Sequence, residues 1–571
     1  MFNWWKRRQK HHIIQCKDEM RISYRKGKTM TIGEKIAHLR THARMTQEQL
    51  ADHLGISRQS VSKWEVDQAE PRMEKILQMC TLFQISADDM IREDVVLHRS
   101  HTLPDPEFRG NYFGTDGFRG EAGTELTAEH AFKVGRFLGW YYANPISGCR
   151  EHGYRPRVVI GKDTRRSSYA LEYALAAGLT ASGADASILH VTTTPGVSYV
   201  TRNDNFDCGV MISASHNPFY DNGIKLVNRH GEKMDDRTLA LIEAYLDGRL
   251  QELGLKTDDL PLATHERMGT IVDHVAGRNR YMGYLISLAA HSYRELRIGL
   301  DCANGAAWMI APAVFEALGA RTFVINASPD GLNINREAGA THTGTLQAFV
   351  RDNGLAVGFA FDGDGDRCIA VDERGNVLTG DHILYILANR LRSRGGLDRN
   401  TVVTTVMSNA GLLQALDRTG ITAVQTRVGD RYVYENMMEN GYALGGEQSG
   451  HIIMRKYATT GDGILTALML IEEMLDRKQT LGALAAQVKI LPQVLKNIRV
   501  CNKAEVIADA DICRRTEELE RSLENCGRVL VRESGTEPVI RIMVEAAEET
   551  LCENCAESIA ELIRQKGYAQ P

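Results

Sequence analysis

"RPRVVIGKDTRRSS" (residues 155–168), "ELRIGLDCANGAA" (295–307) and "NTVVTTVMSNAGL" (400–412) are three versions of one phrase. Each begins as an apolar, largely β-branched run, breaks at a short polar loop and reopens as a helix start. Each is followed by a second strand: "ADASILHVTTTPG" (184–196), "ARTFVINASP" (320–329) and "ITAVQTRVGDR" (421–431). A recurrence of roughly a hundred residues is domain-sized, far too long for a solenoid unit. Strands alternating with helices predict three similar α/β domains on mixed, mainly parallel sheets, with sites at the strand ends.

From about Pro492 the pattern changes. "GRVLVRESGTEPVIRIMVEA" (527–546) reads as two strands about a polar loop, followed by the helix "ETLCENCAESIAELIRQ" (549–565), a smaller α+β fourth domain. Cys552 and Cys555 form a CxxC there, but no second ligand pair lies near it and the segment has helical apolar spacing, so it carries no metal or redox site. The boundaries read as 108–272, 273–368, 369–490 and 491–571.

In front lies a unit of another kind, residues 30–92. In "TQEQLADHLGISRQSVSKWE" (46–65), Thr46 and Ser57 stand as N-caps, Gly55 sits at a turn, Leu50, Ala51 and Leu54 share a face, and Val61 and Trp64 point inward. Two short helices crossing closely resemble the phage-repressor type of helix-turn-helix. Arg58, Gln59, Ser60 and Lys63 line the outward face, where contacts to bases and phosphates of duplex DNA belong. Charges in the unit are roughly balanced, which also fits a helical docking module without DNA. Residues 1–29 lack periodicity and read as unstructured or as preceding a start at Met30; residues 93–107, with two prolines, read as a linker.

The 571 residues suggest four or five domains. Hydrophobic content of 43% and charged content of 25% describe an ordinary globular protein, and a formal charge of -5 gives no global pull toward nucleic acid or anionic lipid. No apolar run approaches a membrane span, and the basic opening lacks a signal-peptide core, so a cytoplasmic location is expected. Eleven scattered cysteines suit reduced thiols.

Four stretches carry chemistry. In "VMISASHNPFYDNGIKLV" (210–227) an apolar strand runs into Ser215, His216, Asn217 and Pro218, so Ser215 is presented at a strand end. "GFAFDGDGDRCIAVDE" (358–373) sets Asp362, Asp364 and Asp366 on alternate positions. Three carboxylates this close require a cation, and hard oxygen donors suit Mg²⁺. An EF-hand is excluded, because Arg367 stands where its loop needs glycine and the flanks read as strands. "VRESGTEPVIRIM" (531–543) offers Arg532, Ser534, Gly535 and Thr536 as a cradle for a phosphate dianion. "ALGGEQSGHIIM" (443–454) offers Glu447, Gln448 and Ser449, a set suited to sugar hydroxyls.

With "FGTDGFRG" (113–120), these motifs resemble the α-D-phosphohexomutase family from about Phe108 to the end, in the family's order and with no core motif departing from its pattern. The resemblance implies four domains around a central cleft. It implies that Ser215 becomes a phosphoserine that completes the shell of one Mg²⁺ held by Asp362, Asp364 and Asp366, and that a sugar 1,6-bisphosphate is the intermediate and activator. It further implies that Lys225 and Arg119 handle proton and charge, that His216 orients, that Arg367 contacts phosphate or sugar, that Glu447, Gln448 and Ser449 read the sugar, and that Arg532, Ser534, Gly535 and Thr536 hold its phosphate. "GGEQSG" with "FGTDGFRG" resembles the branch acting on glucosamine phosphates on the route to cell-wall amino sugars. Activity on mannose or glucose phosphates, and a regulator that only senses hexose phosphate, stand as alternatives. A homodimer is expected.

Overall fold

The computed structural model describes residues 20–24, 31–42, 45–83, 90–91, 95–99, 110–114, 116–143, 154–253, 259–523, 527–533 and 539–569. The N-terminal unit is built of helices Ile32–His42, Gln47–Leu54, Arg58–Glu65 and Met73–Phe83. Thr46 caps the second helix through a reciprocal box: its Oγ1 accepts from the Gln49 N–H at 3.1 Å, and Gln49 Oε1 accepts from the Thr46 N–H at 2.8 Å. Gly55 ends that helix at φ 63°, a left-handed stop that glycine reaches without strain. Ser57 caps the third helix. Leu50, Ala51, Leu54, Val61 and Trp64 meet Ile36, Leu39 and Ile76 in one core, the face the apolar spacing predicts.

Strands β1 (Met20–Tyr24) and β2 (Val95–Arg99) pair antiparallel across this unit. They put five paired residues inside each of the stretches read as an unstructured start, 1–29, and as a linker, 93–107; the rest of both lies outside the described residues. Met20–Tyr24 does alternate apolar and polar, but over five residues, and Val95–Arg99 does not; a pairing distant in sequence makes both strands.

The first α/β domain carries β3 (Phe113–Gly114), β4 (Gly117–Glu121), β5 (Arg157–Lys162), β6 (Asp185–Val191), β7 (Cys208–Ile212), β8 (Asp221–Asn228) and β9 (Ile271–Asp273), in sheet order 3-4-8-7-5-6-9. The second carries β10 (Arg297–Asp301), β11 (Arg321–Ile325), β12 (Val357–Phe361), β13 (Cys368–Val371) and β14 (Val377–Leu378), in order 11-10-12-13-14. The third carries β15 (Thr401–Thr405), β16 (Thr422–Thr426), β17 (Leu444–Gly446) and β18 (Ile452–Met454), in order 16-15-17-18. The fourth carries β19 (Gln493–Arg499), β20 (Arg528–Glu533) and β21 (Val539–Glu545), all antiparallel, against helix Glu549–Gln565. Cys552 and Cys555 are packed in that domain's apolar core.

One four-strand motif recurs three times. In 6-5-7-8, 11-10-12-13 and 16-15-17-18 the first three strands are parallel and the fourth turns back antiparallel. The loop between third and fourth strands carries Ser215 in the first domain, Asp362, Asp364 and Asp366 in the second, and Glu447, Gln448 and Ser449 in the third. The expected boundary after residue 368 is corrected: β13 and β14 complete the second sheet, so that domain reaches Leu378. Their apolar run looks like a new beginning because the sheet it finishes opened at Arg297. Among the described residues, no helix is long and apolar enough to cross a membrane.

Candidate active site

Strand β7 ends at Ile212 and the chain enters the loop as "SASHNP". Ser215 sits at φ 53°, left-handed backbone that costs a residue with a Cβ on the order of 1–3 kcal/mol. Hydrogen bonds offset that cost. The Ser215 N–H donates to Ser213 Oγ at 2.9 Å, and its carbonyl accepts from Arg165 Nη2 at 2.9 Å and Asn335 Nδ2 at 2.8 Å. Ser215 Oγ, on a residue 1% exposed, donates to Asp362 Oδ2 at 2.5 Å. The serine loop of the first domain and the acidic loop of the second thus meet side chain to side chain.

The two glycines of "DGDGD" explain how they come so close. A Cβ on Gly363 would collide with the Ser215 carbonyl oxygen, and Gly365 adopts φ 71° with Thr193 packed against it. Asp362, Asp364 and Asp366 are all buried, and an oxygen from each lies within 4.8 Å of the others. Asp364 Oδ2 accepts from Thr194 Oγ1 at 2.5 Å and from Lys225 Nζ at 2.7 Å. Oδ1 of Asp364 and Oδ1 of Asp366 are buried with no hydrogen-bond partner. Burial, then Asp366 and Asp364, push the Asp362 carboxyl well above the usual range. Orphaned hard oxygens converging in a buried cluster fit a divalent cation such as Mg²⁺.

Cationic side chains surround the cluster. Burial opposes the Lys225 charge, but Asp364 and Asp366 outweigh it and hold the ammonium above its ordinary value. Arg119 pairs with Asp116 and is held below its ordinary value by burial. Desolvation opposes the charge of the half-buried Arg367, yet Asp362 and Asp366 outweigh it and raise its pKa, and it also faces Glu447. Burial, then the charges of Arg367 and Arg119, push His216 down to about 4, so its imidazole is neutral at pH 7.

The third domain closes the other side. Glu447 Oε1 accepts from the Gly429 N–H at 3.1 Å, and burial, then Asp430, raises its carboxyl. Gln448 Nε2 reaches Gln493 Oε1 of the fourth domain at 3.4 Å, and Ser449 is exposed. Arg532 stands apart from the carboxylate cluster, directly across the β20–β21 ladder from Arg541. Burial and the like charge of Arg541 lower its pKa, an imbalance an anion would relieve. Ser534, Gly535 and Thr536 lie outside the described residues.

The structure therefore brings together Ser215, His216, Lys225, Arg119, Arg367, the three aspartates and Glu447. It adds residues the sequence did not single out. His451, 3% exposed, has Nδ1 3.7 Å from Asp366 Oδ2 and Nε2 3.4 Å from Asp430 Oδ2. Asp430 in turn takes Lys233 Nζ at 2.7 Å, and that ammonium lies 3.3 Å from Asp116 of the first domain. His451 directly follows "GGEQSG", a signal that was available; Asp430 and Lys233 carry none until the fold joins them.

Comparison with known proteins agrees with this geometry. Residues 110–252, 279–375 and 379–490 match, in turn, alpha/beta/alpha domains I, II and III of phosphoglucomutase/phosphomannomutase, residues 495–562 match the C-terminal domain of the same proteins, and residues 36–90 match a helix-turn-helix family. Phosphoglucosamine mutase of Lachnospira eligens is 60% identical over 460 residues, 81% of this chain and 100% of that protein. The fold is shared with a phosphoglucomutase/phosphomannomutase family protein of Burkholderia thailandensis, at TM-score 0.64 and 23% identity over 80% of this chain and 98% of that one. It is also shared with Aspergillus fumigatus N-acetylphosphoglucosamine mutase, solved in complex with GlcNAc-6P and magnesium, at TM-score 0.57 and 19% identity over 81% and 97%. From the serine loop to the last sheet, the chain belongs to the α-D-phosphohexomutase family of isomerases, in its phosphoglucosamine mutase branch, with a helix-turn-helix domain placed in front.

Proposed function

We propose that this enzyme interconverts glucosamine 6-phosphate and glucosamine 1-phosphate through a phosphoserine at Ser215 and a sugar 1,6-bisphosphate. The observation that carries the reading is the buried Ser215 Oγ held on Asp362 at the head of three carboxylates. A Mg²⁺ held by Asp362, Asp364 and Asp366 would supply the neutralising charge that a loose phosphoryl-transfer transition state needs. In the forward half-reaction a sugar hydroxyl attacks the phosphorus, and the bond from phosphorus to Ser215 Oγ breaks. Lys225, held protonated, gives its proton to the departing serine oxygen and regains one from the sugar hydroxyl. Arg119 and Arg367 oppose the developing negative charge, and neutral His216 orients the loop. The bisphosphate then turns over and returns its other phosphate to Ser215, so no net donor is consumed after priming. Glu447, Gln448 and Ser449 read the sugar hydroxyls in either orientation. Arg532, with Ser534, Gly535 and Thr536, holds the phosphate that is not reacting.

The N-terminal unit reads best as a DNA-binding module. Arg58, Gln59 and Lys63 are exposed on the Ser57-capped third helix, whereas Ser60 is half-buried with its Oγ 3.0 Å from Ser57 Oγ. A mutase body that pairs as a homodimer would present two such modules to a two-fold site.

Turnover of glucosamine, glucose and mannose 1-phosphates by purified protein, with Mg²⁺ and a trace of sugar bisphosphate, tests the enzyme reading. The glucosamine ester should be preferred. Preference for mannose or glucose phosphate would move the chain to a different activity, and no turnover at all would favour a sensor.

A further inference from the structure

Two side chains from different domains grip the same pair of peptide oxygens behind Ser215. Arg165, fully buried in the turn between β5 and helix Arg166–Ala181, donates from Nη2 to the carbonyls of Ser215 and Asn217, both at 2.9 Å. Its Nη1 donates to the Asp221 carbonyl at 3.0 Å and to that of Pro218, and its Nε donates to Asp163 Oδ2 at 2.7 Å. The same Asp163 oxygen accepts from Ser213 Oγ at 2.7 Å, and Ser213 Oγ takes the Ser215 N–H. From the second domain, Asn335 donates from Nδ2 to the Ser215 carbonyl at 2.8 Å and to the Asn217 carbonyl at 2.9 Å. Asn335 is 7% exposed, its own N–H is fixed on the Ala303 carbonyl at 2.9 Å, and its amide packs against Gly363 of the acidic loop.

We propose that Asn335 is a positioning residue for phosphoryl transfer. Arg165 shapes the serine loop from within its own domain; Asn335 fixes that loop to the domain bearing the three carboxylates, and so sets where Ser215 Oγ stands relative to them. Both lone pairs of the Ser215 carbonyl are used, one by each donor. Removing Asn335 leaves that carbonyl paired to Arg165, so the loop stays formed but loses its backbone anchor to the second domain, keeping only the Ser215 hydroxyl on Asp362. Removing Arg165 would leave the buried Asp163 without its ion-pair partner and strip a hydrogen bond from four carbonyls at once, endangering the fold. Asn335 is therefore the informative position, and this inference rests on Ser215 being the relay serine.

Asn335 itself has φ 59°, so the substitutions should tolerate left-handed backbone: Asn335→Asp, which keeps the shape and replaces the donor, and Asn335→Gly, which removes the side chain. Each is made in the full chain and primed with glucose 1,6-bisphosphate. Intact mass scores the phosphorylated fraction, thermal unfolding scores the fold, and rapid quench follows phosphate leaving the phosphoenzyme for glucosamine 1-phosphate. Expected is a kcat roughly 10- to 100-fold down with KM within about threefold, and a quench rate slowed by the same factor, because misplacement of a reacting group by about an ångström costs on that scale. Wild-type kcat in either folded, phosphorylated variant would overturn the proposal. So would a loss carried wholly by KM, or one matched by the loss of folded protein. Ser215→Ala in the same assay separates the two readings: if it turns over normally the relay itself falls, and if it is inert while both Asn335 variants are normal only the positioning role falls.

Discussion

Ser215 and Ser449 occupy equivalent places in two repeats, each in the loop between the third strand and the antiparallel fourth, yet their surroundings are opposite. Ser215 is 1% exposed, with N–H, carbonyl and hydroxyl all engaged, whereas Ser449 is exposed at the rim of the third domain. The fold thus delivers a serine to the same strand edge twice and leaves its chemistry to the neighbours. Beside Ser215 stand three buried carboxylates and a ring of cations; beside Ser449 stand Glu447, on the Gly429 N–H, and Gln448, on Gln493 of the fourth domain. The proposed roles follow the neighbours: bond-making where carboxylates and cations crowd the hydroxyl, recognition where they do not.

The strongest way to break this contrast is Ser215→Ala. Loss of the attacking oxygen should lower turnover by on the order of 10⁴-fold or more, while thermal unfolding stays near wild type, because one hydroxyl in a polar cleft adds little packing. Wild-type protein primed with sugar bisphosphate should carry one phosphate by intact mass, and the variant none. A phosphorylated Ser215→Ala would place the relay elsewhere.

Asp364→Asn comes next. It removes one of the converging carboxylates and weakens the ion pair to Lys225 at 2.7 Å, so turnover should fall about 100-fold and the Mg²⁺ needed for half-maximal rate should rise. Chelation should silence the wild type reversibly. If both proteins ignore chelator, the acidic cluster is no metal site and the contrast between the two serines rests on hydrogen bonding alone.

Ser449→Ala is the mirror experiment. An exposed hydroxyl that reads a sugar is worth one hydrogen bond, about 0.5–1.5 kcal/mol, or roughly a 2- to 10-fold rise in KM with kcat and Ser215 phosphorylation kept. A collapse of kcat instead would show that position in a repeat, rather than environment, confers chemistry.

Much of this arrangement was legible in the sequence because it is local. The strand, polar loop and helix start recur within a few residues at 155–168, 295–307 and 400–412; "DGDGDR" announces its own charge problem; Thr46 and Ser57 sit directly before the helices they cap. What escaped is what distance in the chain hides. Asn335 and Ser215 are 120 residues apart, and neither asparagine nor the arginine of "GKDTRR" signals a grip on a remote peptide oxygen. The extent of the second domain escaped for the same reason, since β13 and β14 join a sheet begun before β12. Arg541 reads as a plain strand residue until the ladder sets it across from Arg532.

The smallest effect on turnover, none, is expected from a region that touches neither serine. Arg58 and Gln59 open the second helix of the capped pair, exposed, with Lys63 one turn on, while Val61 and Trp64 hold the helix to its core. Replacing both Arg58 and Gln59 with Ala removes side chains suited to base edges and leaves the packing untouched, so helix content and mutase kinetics should not move. Sequence-selective binding should vanish. Selection of bound duplexes from random DNA, repeated at several salt concentrations, separates base readout from phosphate attraction, since the latter falls steeply with salt and is sequence-blind. A dimer should select two half-sites about 34 Å apart, or a multiple of it, because two-fold proteins read two-fold sites. If wild-type protein, dimeric and active, enriches no motif at any salt, the balanced charge of the unit becomes the telling feature, and the exposed Arg58, Gln59 and Lys63 face a protein partner instead of DNA.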